Sequence, residues 1–369
     1  MRISGDRISE VGSGPTPRDA AERHELPGRW LVPGFIDLHV HGGGGHAMLS
    51  SDPADIRSAA AFHRSHGTTT SLASIVTAPL EEMLAGVAAV RDVVRSVTTP
   101  QRHVIGSHLE GPFLNPRRAG AHDPRHLLPP DPAALDRLLE VADGTLRVIT
   151  LAPELPGGVD LVRRAVAAGV IVAVGHSDAD HAQAMAAFDA GASLVTHLFN
   201  GMAPFHHREP GLVGAALADH RVVCEVINDG VHLHDAAVRL AFEAAGSGRI
   251  ALVTDAIAAA GAGDGQFQLG PATVRVLDGE VRLDGERTLA GSTLTMDVAL
   301  RRAVRTVRLP IAAAVEAASA TPARLLGIGD SVGSIEVGHR ADLVVLSDRL
   351  EVEAVMAAGE WTPSGRLVP

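Results

Sequence analysis

Apolar, β-rich runs alternate along this chain with Ala-, Leu- and Arg-rich segments of helical period, the one-dimensional pattern of a parallel sheet wound with helices. The runs predict strands near 35–41, 68–75, 103–109, 147–152, 170–175, 193–197, 222–227 and 250–254. Eight is the number that closes a (β/α)8 barrel. Between the runs, Ser51-Asp52-Pro53 reads as a helix cap followed by a proline in the first turn, and Gly67, Gly169 and Gly191 stand where helices should stop. The stretch AAAVEAASA reads as an Ala-rich helix. Residues 264–289 break the rhythm with short alternating runs separated by Asp-Gly and Gly-Pro, the signal of β-hairpins inserted after the eighth strand. Both chain ends are β-like as well. The expected organisation is α/β, with a barrel over 34–335 and one small sheet module built from 1–33 and 336–369.

Seven of the runs share a second property, ending on residues suited to hold a metal or move a proton. They are FIDLHVH (His39, His41), VIGSHLEGP (Glu110), LRVITLAPE (Glu154), VAVGHSD (His176), LVTHLFN (His197), EVINDGVH (Asp229, His232) and ALVTDA (Asp255). Chemistry displayed at the C-terminal ends of parallel strands marks the mouth of a barrel enzyme.

Composition narrows the partners. The chain has 369 residues, 46% of them hydrophobic, enough for one large core plus an accessory module. A net charge of -11, spread without long like-charge runs, argues against nucleic acid or an anionic membrane and for a small molecule. No segment reaches the roughly 18 uninterrupted apolar residues of a membrane span. A single cysteine, Cys224, excludes an internal disulfide framework, and MRISGDRISEVG carries no signal pattern, so the expected compartment is the cytoplasm.

The pair His39 and His41 sits at i and i+2, on one face of a strand, so both imidazoles can reach one ion; the alternative is two polar strand-end residues. Glu110, just before Gly111-Pro112, points into the mouth or pairs with a neighbouring arginine. His176 and His197 repeat the strand-end arrangement. Neutral imidazoles with a carboxylate suit zinc or a similar divalent ion, with iron, manganese and cobalt as alternatives. Asp255 is either the acid/base beside that ion or the N-cap of AIAAAG.

The motifs PGFIDLHVHG, HLEGPFLNPRRAGAHDP, GHSDA, THLFNGMAPFHHREPG, INDGVHLH, LVTDAI and LAGSTLTM, in this order, resemble the amidohydrolase superfamily and, within it, the N-acetylglucosamine-6-phosphate deacetylases. The resemblance implies a barrel with a small β-sandwich made from both termini. It implies hydrolysis of N-acetyl-D-glucosamine 6-phosphate to D-glucosamine 6-phosphate and acetate. Carried over residue by residue, Glu110, His176 and His197 bind the principal ion, and since some members of the family keep the pair on strand one and others lack it, the resemblance implies one or two ions per subunit, with His39 and His41 holding the second. Asp255 is the general acid/base and His122 stabilises the oxyanion. Substrate contacts fall to Ala121, Asn200, Gly201, Arg208, His232, Leu289, Ala290 and Gly291, with Arg208 forked on the phosphate. Arg117 and Arg118 are either solvated charges or further phosphate contacts. The family commonly has FNAM where this chain has FNGM, and a homodimer or higher homo-oligomer is implied, in which a neighbouring subunit completes the phosphate pocket.

The competing functions are an amidohydrolase acting on another N-acyl amino sugar or a cyclic amide, and a non-catalytic binding protein on the same scaffold. The chain contains no lysine, which removes any metal centre bridged by a carboxylated lysine. All expected ligands and the acid/base are present, which argues against the binding protein.

Overall fold

All nine residues of Thr68–Val76 are buried, hydroxyl-bearing ones included, because this strand is covered on both faces: by helices outside and by its neighbours' side chains inside. The computed structural model describes residues 1–13, 22–96 and 103–362. Eight parallel strands form one sheet in chain order: β1 (Phe35–Asp37), β2 (Thr68–Val76), β3 (Val104–Glu110), β4 (Leu146–Leu151), β5 (Ile171–Val174), β6 (Leu194–Val195), β7 (Val223–Ile227) and β8 (Ile250–Val253). The ring closes just beyond β1 and β8, where Val40 bridges Ala256 in parallel and the Asp255 amide donates to the His39 carbonyl at 2.8 Å. The result is a (β/α)8 barrel, and each strand run expected from the sequence overlaps one of its strands.

A helix follows each strand and buries one stripe against the outside of the sheet. Met83, Val87 and Val90 of Leu80–Ser96, for example, share a core cluster with Ile75 of β2 and Leu109 of β3. The caps follow the sequence signals. Asp52 accepts from the Ala54 amide ahead of Pro53–Ser65, and Gly67, Gly169 and Gly191 take positive φ. The Ala-rich stretch is helical but interrupted, running as Ile311–Val315, a π turn over Glu316–Ala320 and Thr321–Leu325.

Inside the barrel, strand alternation stacks side chains in layers. Leu72, Val148, Ala173 and Leu194 form part of a hydrocarbon floor. Two residues further along the same strands, Ser74, Thr150 and Thr196 join His108 in a hydrogen-bonded layer. His108 spans Ser74 Oγ (3.0 Å) and Thr150 Oγ1 (2.8 Å), and Thr150 meets Thr196 at 2.8 Å. The site residues stand on this layer.

Outside the barrel, Trp30–Pro33 pairs antiparallel with Leu343–Leu346, followed by Val352–Ala357 and Glu360–Trp361. The N-terminal hairpin, Arg2–Ser4 with Arg7–Glu10, is a sheet of its own. It joins the C-terminal segment through the bridge between Arg7 and Arg340 and by burying Ile8 against Leu343 and Met356. Gly265–Leu269, Ala272–Leu277 and Glu280–Leu283 form a three-stranded antiparallel sheet, the β-hairpins expected over 264–289.

Candidate metal centre

Three of the site residues lie just past their strands with a left-handed backbone that non-glycine residues rarely take: His176 (φ 47°), His197 (φ 29°) and Asp255 (φ 49°). Each such turn costs of order 1–3 kcal/mol and persists only where the surroundings impose it. Asp255 precedes no helix, which disposes of a capping role. At Gly111 the chain after Glu110 also turns at positive φ (102°), and a Cβ there would lie 2.1 Å from Thr77 Oγ1, so this position admits only glycine.

The turns converge the side chains. Glu110 Oε1 lies 3.1 Å from both His176 Nε2 and His197 Nε2, and those two nitrogens are 3.0 Å apart. Glu110 Oε2 lies 3.0 Å from His41 Nε2 and 3.4 Å from His122 Nε2. Asp255 Oδ1 is 3.3 Å from His41 Nε2 and 3.4 Å from His39 Nε2. Two groups of potential ligands result, Glu110 with His176 and His197, and His39 and His41 with Asp255; within each, the candidate atoms lie within 4.8 Å of one another. Glu110 touches both.

The donor chemistry fits a divalent cation. His176 Nδ1 donates to the Arg118 carbonyl (2.8 Å), His41 Nδ1 to the Ser74 carbonyl (3.2 Å) and His39 Nδ1 to Glu225 (3.0 Å). A proton fixed on Nδ1 leaves the Nε2 lone pair facing the centre, the arrangement metal-binding histidines adopt. Without an ion, protons do part of its work. Burial opposes a charge on His39, but Glu110 and Asp255 raise its pKa well above the usual value. Against the same penalty, hydrogen bonds to Asp255 and Glu110 hold His41 up at about 9. Burial pushes Asp255 and Glu110 upward, yet His39 and its neighbours bring Asp255 to about 2 and Glu110 well below the carboxylate range. Burial leads in lowering His122 to about 4, so its ring is neutral near pH 7.

Two strand-end acids do other work. Glu154 accepts from Asn115 Nδ2 (2.8 Å), Ser177 Oγ (2.7 Å) and the Asp178 amide (2.6 Å), bracing the turn after His176. Glu154→Ala leaves those three donors without their acceptor, and we expect it to cost about 1–3 kcal/mol of stability, checked by denaturant unfolding. Asp229 accepts from the Val231 and His232 amides and from His232 Nδ1 (2.7 Å), orienting that ring. Arg118 and Arg117 both pair with Asp178. Asn200 spends its amide on the His197 and Leu198 carbonyls. Gly201 runs beside His176, where a Cβ would come within 3.1 Å of Nδ1. Gly291 lies against the Asp255 carbonyl, which accepts the Ser292 amide at 2.8 Å, and Leu289 and Ala290 lead into it from the inserted sheet. Ala121 is half-buried beside His122. Arg208 is exposed, with its guanidinium on His207 (2.7 Å) in its own loop.

Sequence reasoning passed over Glu225 and His108. The signal for Glu225 was an acidic residue inside the otherwise apolar VVCEVI, and for His108 a histidine two residues before Glu110 on the same strand face.

The amidohydrolase family model matches residues 30–362. An N-acetylgalactosamine-6-phosphate deacetylase of Escherichia coli O157:H7 is 40% identical over 362 residues, 98% of this chain and 93% of that one. The human N-acetylglucosamine-6-phosphate deacetylase is 39% identical, covering 93% of this chain and 86% of its own. Among solved structures, an Asp-to-Ala mutant of N-acetyl-D-glucosamine-6-phosphate deacetylase from Mycobacterium smegmatis in complex with N-acetyl-D-glucosamine-6-phosphate superposes with a TM-score of 0.92 at 43% identity, over 97% of this chain and 93% of that one.

Proposed function

The chain belongs to the amidohydrolase family, and from that premise we propose that it removes the acetyl group from N-acetyl-D-glucosamine 6-phosphate, giving D-glucosamine 6-phosphate and acetate. The observation that carries this is the convergence of Glu110, His176 and His197 on one buried point beside His39, His41 and Asp255, in a chain similar end to end to deacetylases of amino-sugar phosphates. Glu110, His176 and His197 hold the principal divalent ion, and His39 and His41 contribute to a second. When bound, such an ion polarises the amide carbonyl and makes a water nucleophilic near neutral pH.

The chain's own groups carry the protons. Asp255, ionised far below neutral pH, accepts the proton of the attacking water and passes it to the departing amine. His122, neutral and at the rim of the ligand group, donates an N–H to the amide oxygen as negative charge develops there. His232, steadied by Asp229, and the backbone at Ala121, Gly201 and 289–291 contact the sugar. Arg208 holds the 6-phosphate by a charge-assisted fork. Arg208→Ala is expected to raise KM for the 6-phosphate by about 10- to 100-fold with little change in kcat, measured by steady-state kinetics. A variant with unaltered KM removes the residue from phosphate recognition.

Acetate release from N-acetylglucosamine with and without the 6-phosphate, before and after chelation, tests the whole reading. Equal rates on both sugars, or full activity after chelation, refute it. The galactosamine-specific name of a 40%-identical relative supports a second reading, in which the C4 epimer is the preferred substrate. Ranking kcat/KM for the two epimeric 6-phosphates decides between them. The proposal takes zinc as the ion, a homodimer as the assembly and the cytoplasm as the compartment; elemental analysis and light scattering check the first two.

A further inference from the structure

Glu225 lies on β7, fully buried beneath the ligands. One of its oxygens, Oε2, accepts from His39 Nδ1 (3.0 Å) and from the His197 amide (3.2 Å), so a single atom touches a member of each ligand group. Its main-chain carbonyl accepts the next amide, Leu198, at 2.8 Å. The other oxygen, Oε1, is buried without a hydrogen-bond partner. A buried carboxylate is costly unless its oxygens find hydrogen-bond donors, and among the described residues the one side chain within ion-pair distance of Glu225 is His39.

The consequence falls on the tautomer of His39. Its Nε2 lies 3.4 Å from Asp255 Oδ1 and 3.5 Å from Glu110 Oε1. With no acceptor at Nδ1, a proton on Nε2 would satisfy those carboxylates and cap the atom a metal needs. With Glu225 in place the proton sits on Nδ1 and the lone pair faces His41 and Asp255. The His197 turn depends on the side chain less, since the Leu198 amide stays on the Glu225 main chain whatever residue occupies the position.

Building on the metal-dependent reading above, we propose that Glu225 is a positioning residue for the second ion: by accepting the His39 Nδ1 proton it makes His39, His41 and Asp255 competent to hold a divalent cation, while the group at Glu110, His176 and His197 binds its own ion without it. The role is that of an acceptor, so glutamine, whose amide oxygen can take the place of Oε2, substitutes in large part.

Zinc titrated calorimetrically into the metal-stripped full-length chain tests this in wild type, Glu225→Leu and Glu225→Gln. Wild type should bind two ions in separable steps. Leucine should leave the tighter step in place and weaken the other by about 10- to 100-fold, and glutamine should recover most of that loss. In the metal-free protein a His39 Nδ1–H resonance should be present in wild type and missing in the leucine variant, in which the ring proton moves to Nε2. The tighter step doubles as the folding control. Equal weakening of both steps, an unaltered second step in the leucine variant, or a glutamine variant as weak as leucine overturns the proposal. So does a wild type that binds one ion. A wild type that binds none refutes the metal-dependent reading itself, so the two failures are distinguishable.

Discussion

Asp255→Asn should lower kcat for acetamide hydrolysis by about 10²- to 10⁴-fold, the range a positioned general acid/base contributes. Asparagine keeps the size of the side chain and an oxygen near His41 and His39, but it cannot take a proton from water or return one to the amine. The loss should therefore fall on kcat, with KM changed little and the ion at Glu110, His176 and His197 retained. The pH profile sharpens the test. Asp255 is held at about 2 because, against the penalty of burial, His39 and His41 favour its charge. That holds for the metal-free chain; in the loaded enzyme, where those rings are neutral ligands, the charge of the ion takes their place in favouring the carboxylate, and an acid limb of kcat near neutral pH would contradict the placement. Parallel measurement of kcat and bound metal decides the matter. A variant that loses the ion at Glu110, His176 and His197 along with its activity would leave the loss of turnover unexplained by proton transfer and overturn the acid/base role.

Stripping the metal should abolish turnover and destabilise the fold together, with a pH dependence that the histidines set. An ion present at about a thousand times its dissociation constant stabilises the folded state by about 4 kcal/mol, so chelation should lower Tm by several degrees. The metal-free protein carries a further signature. His41 has its pKa raised from 6.5 to about 9, which contributes stability that is fully present below 6.5 and is lost as pH rises through 9. His39 shifts in the same direction. The Tm of the stripped protein should therefore fall between about pH 6.5 and 9, by an amount corresponding to at most about 3 kcal/mol for His41. The loaded protein, whose ligands are neutral imidazoles at every pH in that window, should not follow it. Differential scanning calorimetry of both forms gives the gap directly, and a gap that stays constant with pH would show that these histidines do not bind the ion.

Much of this centre was legible before any fold was known, and the reason is local. An apolar run followed by His, Glu or Asp specifies both a strand and the chemistry at its end, and eight apolar runs, seven of them ending so, with capped helices between them specify a barrel. Glu110, His176, His197, His39, His41 and Asp255 were all named on that basis. Glu154 and Asp229 were flagged on the same basis, yet the structure turns both to loops at the rim, Glu154 to the neighbouring loop, where it braces Ser177 and Asp178, and Asp229 to its own, where it orients His232. Whether a strand-end acid faces the axis or the adjoining turn depends on the backbone direction of a residue or two past the strand, which a run of letters does not encode.

What the linear chain determined was therefore the inventory: strand number, helix limits, and the residue types delivered to one rim. What only the tertiary structure decided was partnership across distance. Ring closure between Val40 and Ala256, the left-handed turns at His176, His197 and Asp255, and the grip of Glu225 on a histidine 186 positions away depend on contacts between segments that come together only when the barrel shuts. Local propensity disfavours each of those turns, and burying a carboxylate like Glu225 is costly in isolation. Such features exist because the assembled barrel supplies the compensating contacts, which is why they could not be read before it was built.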